Sequence, residues 1–167
     1  RTDKRNLSEE LRKKGYVVSD FFKEDFDKVS IDTAAAFAYF TAAQDPLPVS
    51  GGRKYLPAAS AKAVEFLSKR SDKGFFVMIE GSQIDWGGHA NDSEYIITEM
   101  LDFDATIAKV LDFVDKDGET LLVITADHET GGYAINPESV MNDTIVAGFT
   151  TGYHTAAMIP VFAYGPG

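Results

Sequence analysis

Phe75-Phe76-Val77-Met78-Ile79, closed by Glu80-Gly81, and Leu121-Leu122-Val123-Ile124, closed by Thr125-Ala126-Asp127-His128, decide the fold. Each is a continuous apolar run of strand length, the pattern of a strand buried on both faces. Between them Asn91 or Asp92 can cap one long helix. In it Ile97, Met100, Leu101, Asp104, Ile107, Leu111 and Val114 recur at helical spacing, and Gly118 closes the element. Only Asp104 interrupts that apolar stripe. Strand, helix, strand in this order predicts a right-handed crossover of a parallel sheet, with a further strand at 158–164. The expected class is α/β, a mostly parallel sheet with flanking helices.

Upstream, residues 6–14 read as a short capped helix stopped by Gly15, followed by a strand at Tyr16-Val17-Val18. Pro46, Pro48, Gly51, Gly52 and Pro57 mark a loop ahead of an amphipathic helix over about 58–70. The chain has 167 residues, 44% of them hydrophobic, enough for one sizeable core. Its net charge of −10 argues against broad electrostatic binding of nucleic acid or an anionic membrane, which needs a basic face. A phosphate-bearing ligand would then need a local positive charge, and bound metal ions supply one. No apolar run reaches the length of a membrane span, and no apolar signal core follows Arg1-Thr2-Asp3-Lys4-Arg5. With no cysteine, disulfides, thiolate zinc sites and a cysteine nucleophile are excluded. The missing initial Met and the abrupt end at Gly167 suggest a fragment.

In open α/β sheets ligands bind outside the carboxyl ends of strands. All three histidines fall there: His89 in Glu80-Gly81-Ser82-Gln83-Ile84-Asp85-Trp86-Gly87-Gly88-His89, His128 in Thr125-Ala126-Asp127-His128-Glu129-Thr130-Gly131-Gly132, and His154 in Gly152-Tyr153-His154-Thr155. Neutral imidazole with carboxylate is the ligand set zinc takes in hydrolytic enzymes. Asp85 and His89, four apart, can converge on one ion across a Gly-rich turn. Asp127 and His128 are adjacent, so both face an ion only if the strand has ended before them, which Gly131-Gly132 would permit. Singly, each piece reads as well as a strand-end cap, a solvated terminus or a surface pair. Together, three histidines and three acids at one sheet edge read as a metal site.

The segments 77–85 and 125–132, quoted above, resemble two blocks of the alkaline phosphatases, and Tyr153-His154-Thr155 resembles a third. The similarity is strong over 56–167 and weak over 1–55. It implies that the chain is the carboxy-terminal part of one alkaline-phosphatase-like catalytic domain, incomplete without the half bearing the nucleophile. The implied activity is zinc- and magnesium-dependent hydrolysis of phosphate monoesters through a phosphoserine. Zinc would stabilise the departing alkoxide and lower the pKa of bound water to about 7. By the same resemblance Asp85, His89 and His154 hold the first zinc, Asp127 and His128 contribute to the second, and Glu80 contributes to the magnesium. The remaining ligands, the serine and the phosphate-clamping arginine have no match here. The resemblance also suggests a periplasmic or secreted setting and admits a homodimer of the intact enzyme.

Trp86 departs from the many family members with Lys or His after this Asp ligand, though some others carry Trp. It stands at a candidate substrate position and puts the identity of the third ion in question. Ile31-Asp32-Thr33-Ala34-Ala35 mimics the Asp-Ser-Ala setting of the family nucleophile. Thr33 nevertheless lies too close upstream of Glu80, and Phe37-Ala38-Tyr39-Phe40 beside it fits a buried segment. The competing readings are a related superfamily hydrolase, such as a sulfatase, a phosphodiesterase or a cofactor-independent phosphoglycerate mutase, and a catalytically silent metal-binding module. An Asp-Ser-Ala block upstream would separate enzyme from module.

Overall fold

The computed structural model describes residues 4–167; Arg1, Thr2 and Asp3 lie outside the described residues. Asn6 starts α1 (Leu7–Lys13) by accepting the Glu9 N–H at 3.2 Å, and Gly15 follows at φ 85. β1 (Val17–Asp20) pairs in parallel with β2 (Phe37–Phe40), Val17 opposite Phe37. The expected burial of 37–40 is only partial, and Phe40 is exposed. α2 (Leu56–Ser68) begins slightly before the expected start because Pro57 suits a first turn, where its missing N–H needs no partner. α3 (Gln83–Ala90) and α4 (Ser93–Asp117) follow. Asp92, not Asn91, caps α4 by accepting the Tyr95 N–H at 3.0 Å, and Gly118 ends it at φ 70.

The core forms where α2 crosses α4. Val64, Val110 and Val114 are buried together, with Phe75, Val77, Ile79, Phe113 and Leu122 packed against them. Each valine so buried stabilises the fold by about 1.5–3 kcal/mol. The buried face of α4 is Ile96, Glu99, Thr106, Val110 and Val114, rotated from the apolar stripe expected from sequence: Met100 and Leu101 are exposed. The reason is a distant partner. Arg53, in the loop before α2, pairs with Glu99 and lies 3.4 Å from Asp102, while Glu99 also accepts the Val49 N–H at 2.8 Å. A carboxylate satisfied in this way can face inward, so polar residues displace Leu101 and Met100 from the core side.

The remaining elements are β3 (Leu122–Ile124), β4 (Glu129–Thr130), β5 (Ala134–Ile135), α5 (Glu138–Asn142), β6 (Ala147–Gly148), β7 (His154–Thr155) and β8 (Phe162–Tyr164). Three antiparallel ladders join them: β3 with β8, β4 with β7 and β5 with β6. The α/β class holds. The expected parallel crossover does not appear among the described residues: 75–80 carries no ladder, and β3 meets β8 antiparallel. Nor are the apolar runs buried on both faces. Phe76 is 89% exposed and Met78 76%, whereas Phe75, Val77 and Ile79 pack on the helices. Successive side chains of an extended segment point to opposite sides, and α2 with α4 cover one side. Among the described residues no helix is long and apolar enough to cross a membrane.

Candidate metal centre

α3 presents Asp85 and His89 one turn apart, so they share a helix face rather than a Gly-rich turn. Gly87 and Gly88 lie inside the helix, and close packing is their reason. A Cβ on Gly87 would sit 2.9 Å from Ile96 of α4, and one on Gly88 would sit 2.7 Å from the Thr130 carbonyl oxygen of β4. β4 pairs with β7, Thr130 opposite His154, which carries His154 to the same helix. Gly131 and Gly132 take φ of 93 and 60 and turn the chain after β4.

Three atoms able to hold a metal ion converge there. His89 Nε2 lies 3.4 Å from Asp85 Oδ1, His154 Nε2 lies 3.6 Å from that oxygen, and the two nitrogens are 3.2 Å apart. A tetrahedral zinc with bonds of 2.0–2.1 Å has ligand-to-ligand edges of about 3.4 Å, so this triangle fits one face of its coordination shell. His89 Nδ1 is 2.8 Å from the Gly152 carbonyl, which can only accept, so Nδ1 carries the proton and Nε2 keeps its lone pair for the cluster. The site is half-open: Asp85 is partly buried, and His89 and His154 are exposed.

β3 ends at Ile124, so Asp127 and His128 lie beyond the strand, and His128 Nε2 is 3.3 Å from Asp127 Oδ2. The His128 ring stacks on His154 with centroids 3.5 Å apart, which brings this pair beside the first cluster. Glu80 is exposed at the end of 75–80 and is not part of the three-residue cluster. Trp86 is exposed on α3 next to Asp85. Thr33 is exposed in the turn between β1 and β2, where its carbonyl accepts from Arg70 at 2.9 Å.

Three supporting residues escaped the sequence reading. Gln83, almost wholly buried, donates from Nε2 to the Pro46 carbonyl at 3.0 Å and accepts the Tyr95 hydroxyl at 2.7 Å, locking the start of α3 to the preceding loop. Glu129 accepts the Gly132 and Tyr133 N–H groups, both at 3.1 Å, and the Thr155 hydroxyl, tying the turn after β4 to β7. Burial opposes the Glu129 charge, but Thr155, the two backbone donors and His128 outweigh it and hold the carboxyl below the usual range. Thr130 donates to Asp85 Oδ1 at 2.6 Å and lies 3.2 Å from His128 Nδ1. The only sequence signal for Glu129 and Thr130 was their place inside the block that holds Asp127 and His128.

The sequence model of the alkaline phosphatase family matches residues 1–147. Alkaline phosphatase 3 of Bacillus subtilis is 39% identical over 142 residues, covering 83% of this chain and 29% of that protein. The alkaline phosphatase of Escherichia coli K12 is 37% identical over 105 residues, covering 62% of this chain and 21% of that protein. The solved alkaline phosphatase of the Antarctic bacterium TAB5 superposes with a TM-score of 0.84 at 40% identity, covering 100% of this chain and 50% of that one. A mutant of that enzyme was solved with Mg bound in its M3 site and superposes at 0.82. His154 lies beyond the matched 1–147, and the superposition carries the likeness through it. The chain spans half or less of the length of these relatives, and it belongs to the alkaline phosphatase family.

Proposed function

We propose that this chain is the carboxy-terminal, metal-binding part of a single phosphatase domain that hydrolyses phosphate monoesters through a phosphoserine, with the nucleophile in a half outside the chain. The carrying observation is the 3.2–3.6 Å triangle of Asp85 Oδ1, His89 Nε2 and His154 Nε2. In this reading the triangle holds one zinc, Asp127 and His128 supply part of a second zinc site, and Glu80 supplies part of a magnesium site. Zinc, when bound, contributes Lewis-acid charge and lowers the pKa of water at the site. The protein residues orient it: Gly152 fixes the His89 tautomer, and Glu129 holds β7 so that His154 faces α3. Trp86, beside Asp85 and exposed, forms a rim for the substrate. Completed by the other half, the short ladders become the edge of one mostly parallel sheet, and the open faces of Phe76 and Met78 become interior. A periplasmic or secreted setting rests on the resemblance alone. Phosphate monoester is the favoured substrate over sulfate or diester because the curated relatives matched at 39% and 37% identity are alkaline phosphatases.

Metal analysis of the purified chain after dialysis against trace zinc tests the reading. About one zinc per chain is expected, lost in Asp85→Ala and in His154→Ala. Zinc content indifferent to both substitutions sinks the ligand assignment.

A further inference from the structure

We infer that Thr130 is the positioning residue that sets the metal-binding tautomer of His128 and ties it to Asp85, linking the two candidate ion sites through one hydroxyl. The inference rests on the zinc reading above. A threonine hydroxyl has one proton, and an ionised carboxylate only accepts. The 2.6 Å contact with Asp85 Oδ1 therefore uses that proton. The 3.2 Å contact with His128 is then a hydrogen bond only if Nδ1–H donates to the threonine oxygen. A neutral ring protonated at Nδ1 has its lone pair on Nε2, the nitrogen that lies 3.3 Å from Asp127. Thr130 thus does for His128 what the Gly152 carbonyl does for His89, and the same hydroxyl also orients the Asp85 oxygen shared by the first cluster.

The hydroxyl is held in place by packing on two sides. Thr130 pairs with His154 across the β4–β7 ladder, and Gly88 of α3 approaches so closely that a Cβ there would lie 2.8 Å from Thr130 Cβ and 2.9 Å from its Cγ2. A β-branched side chain with its methyl against α3 has little rotamer freedom, so Oγ1 faces the two ligands. The competing explanation is shape alone, in which a valine would serve as well.

Thr130→Val keeps the shape and removes the hydroxyl, and Thr130→Ser keeps the hydroxyl. Long-range proton–nitrogen NMR of the metal-free chain, at alkaline pH where the rings are neutral, reads the tautomers; His128→Gln assigns the signal. His128 is expected as the Nδ1–H form in the unsubstituted chain and in Thr130→Ser, and shifted towards Nε2–H in Thr130→Val. Zinc affinity, by chelator competition, should fall about 10- to 100-fold in Thr130→Val and recover in Thr130→Ser. An Nε2–H tautomer in the unsubstituted chain overturns the proposal whether or not the variants fold. Zinc binding that needs Asp85 yet ignores Thr130→Val overturns the role of Thr130 alone. Zinc binding that ignores Asp85→Ala overturns the underlying site and the proposal with it.

Discussion

Gly88→Ala sets helix propensity against packing. Alanine is favoured over glycine in a helix interior by about 1 kcal/mol, so an uncrowded α3 would be stabilised. At Gly88, however, the new methyl would lie 2.7 Å from the Thr130 carbonyl oxygen and 2.8 Å from Thr130 Cβ. Those atoms belong to β4 itself and cannot swing away like the end of a long side chain. Reaching an ordinary contact near 3.5 Å requires α3 and β4 to part by roughly 0.8 Å. Overpacking of this kind costs about 1–3 kcal/mol, leaving a net loss of up to roughly 2 kcal/mol after the helix gain. The parting also moves Asp85 and His89, on α3, away from His154, on β7, and so opens the 3.2–3.6 Å triangle. Gly152→Ala is the control, because its Cβ would meet only the His89 carbonyl oxygen at 3.6 Å. Chemical denaturation in chelator should place Gly88→Ala below the unsubstituted chain and Gly152→Ala near it, and zinc competition should show the same order. A Gly88→Ala chain that is more stable, with undiminished zinc affinity, refutes the claim that close approach of α3 to β4 builds the site.

Glu99→Ala should cost about 1–3 kcal/mol in denaturant unfolding, since it leaves Arg53, whose side chain is 6% exposed, with Asp102 at 3.4 Å as its carboxylate and takes the acceptor from the Val49 N–H. Removing all three charges together, with Arg53→Met, Glu99→Leu and Asp102→Leu, should recover part of that loss, and a triple variant no more stable than Glu99→Ala would show that the buried charges are not the cause. The isolated chain, supplied with zinc and magnesium at alkaline pH, should not turn over a chromogenic phosphate monoester at an enzymatic rate, because removing one member of a cooperating catalytic set costs nearly as much as removing all. Robust turnover abolished by Thr33→Ala would instead place the nucleophile within the chain.

Signals confined to a few neighbouring residues were legible in the sequence: a capped helix over 6–14, a cap at Asn91 or Asp92, which the structure settles as Asp92, the Gly118 stop, the apolar runs, and the clustering of histidines and acids after them. Caps and helix stops depend on backbone groups within one turn, so local order carries them. Which face of α4 turns inward was not legible, because Arg53 lies 46 positions from Glu99, and no periodicity within the helix reports a partner that far away. The same holds for the pairing of the strands, since an apolar run states that a segment can be buried but not what lies across from it. The tertiary structure alone decided the site. Asp85 meets Thr130 45 positions on, and His89 meets His154 65 positions on, only because two glycines let α3 lie against α4 and β4 and one short ladder brings β7 alongside. Ligand chemistry is a property of residue types, which sequence displays; ligand geometry is a property of close packing between distant segments, which only the folded chain possesses.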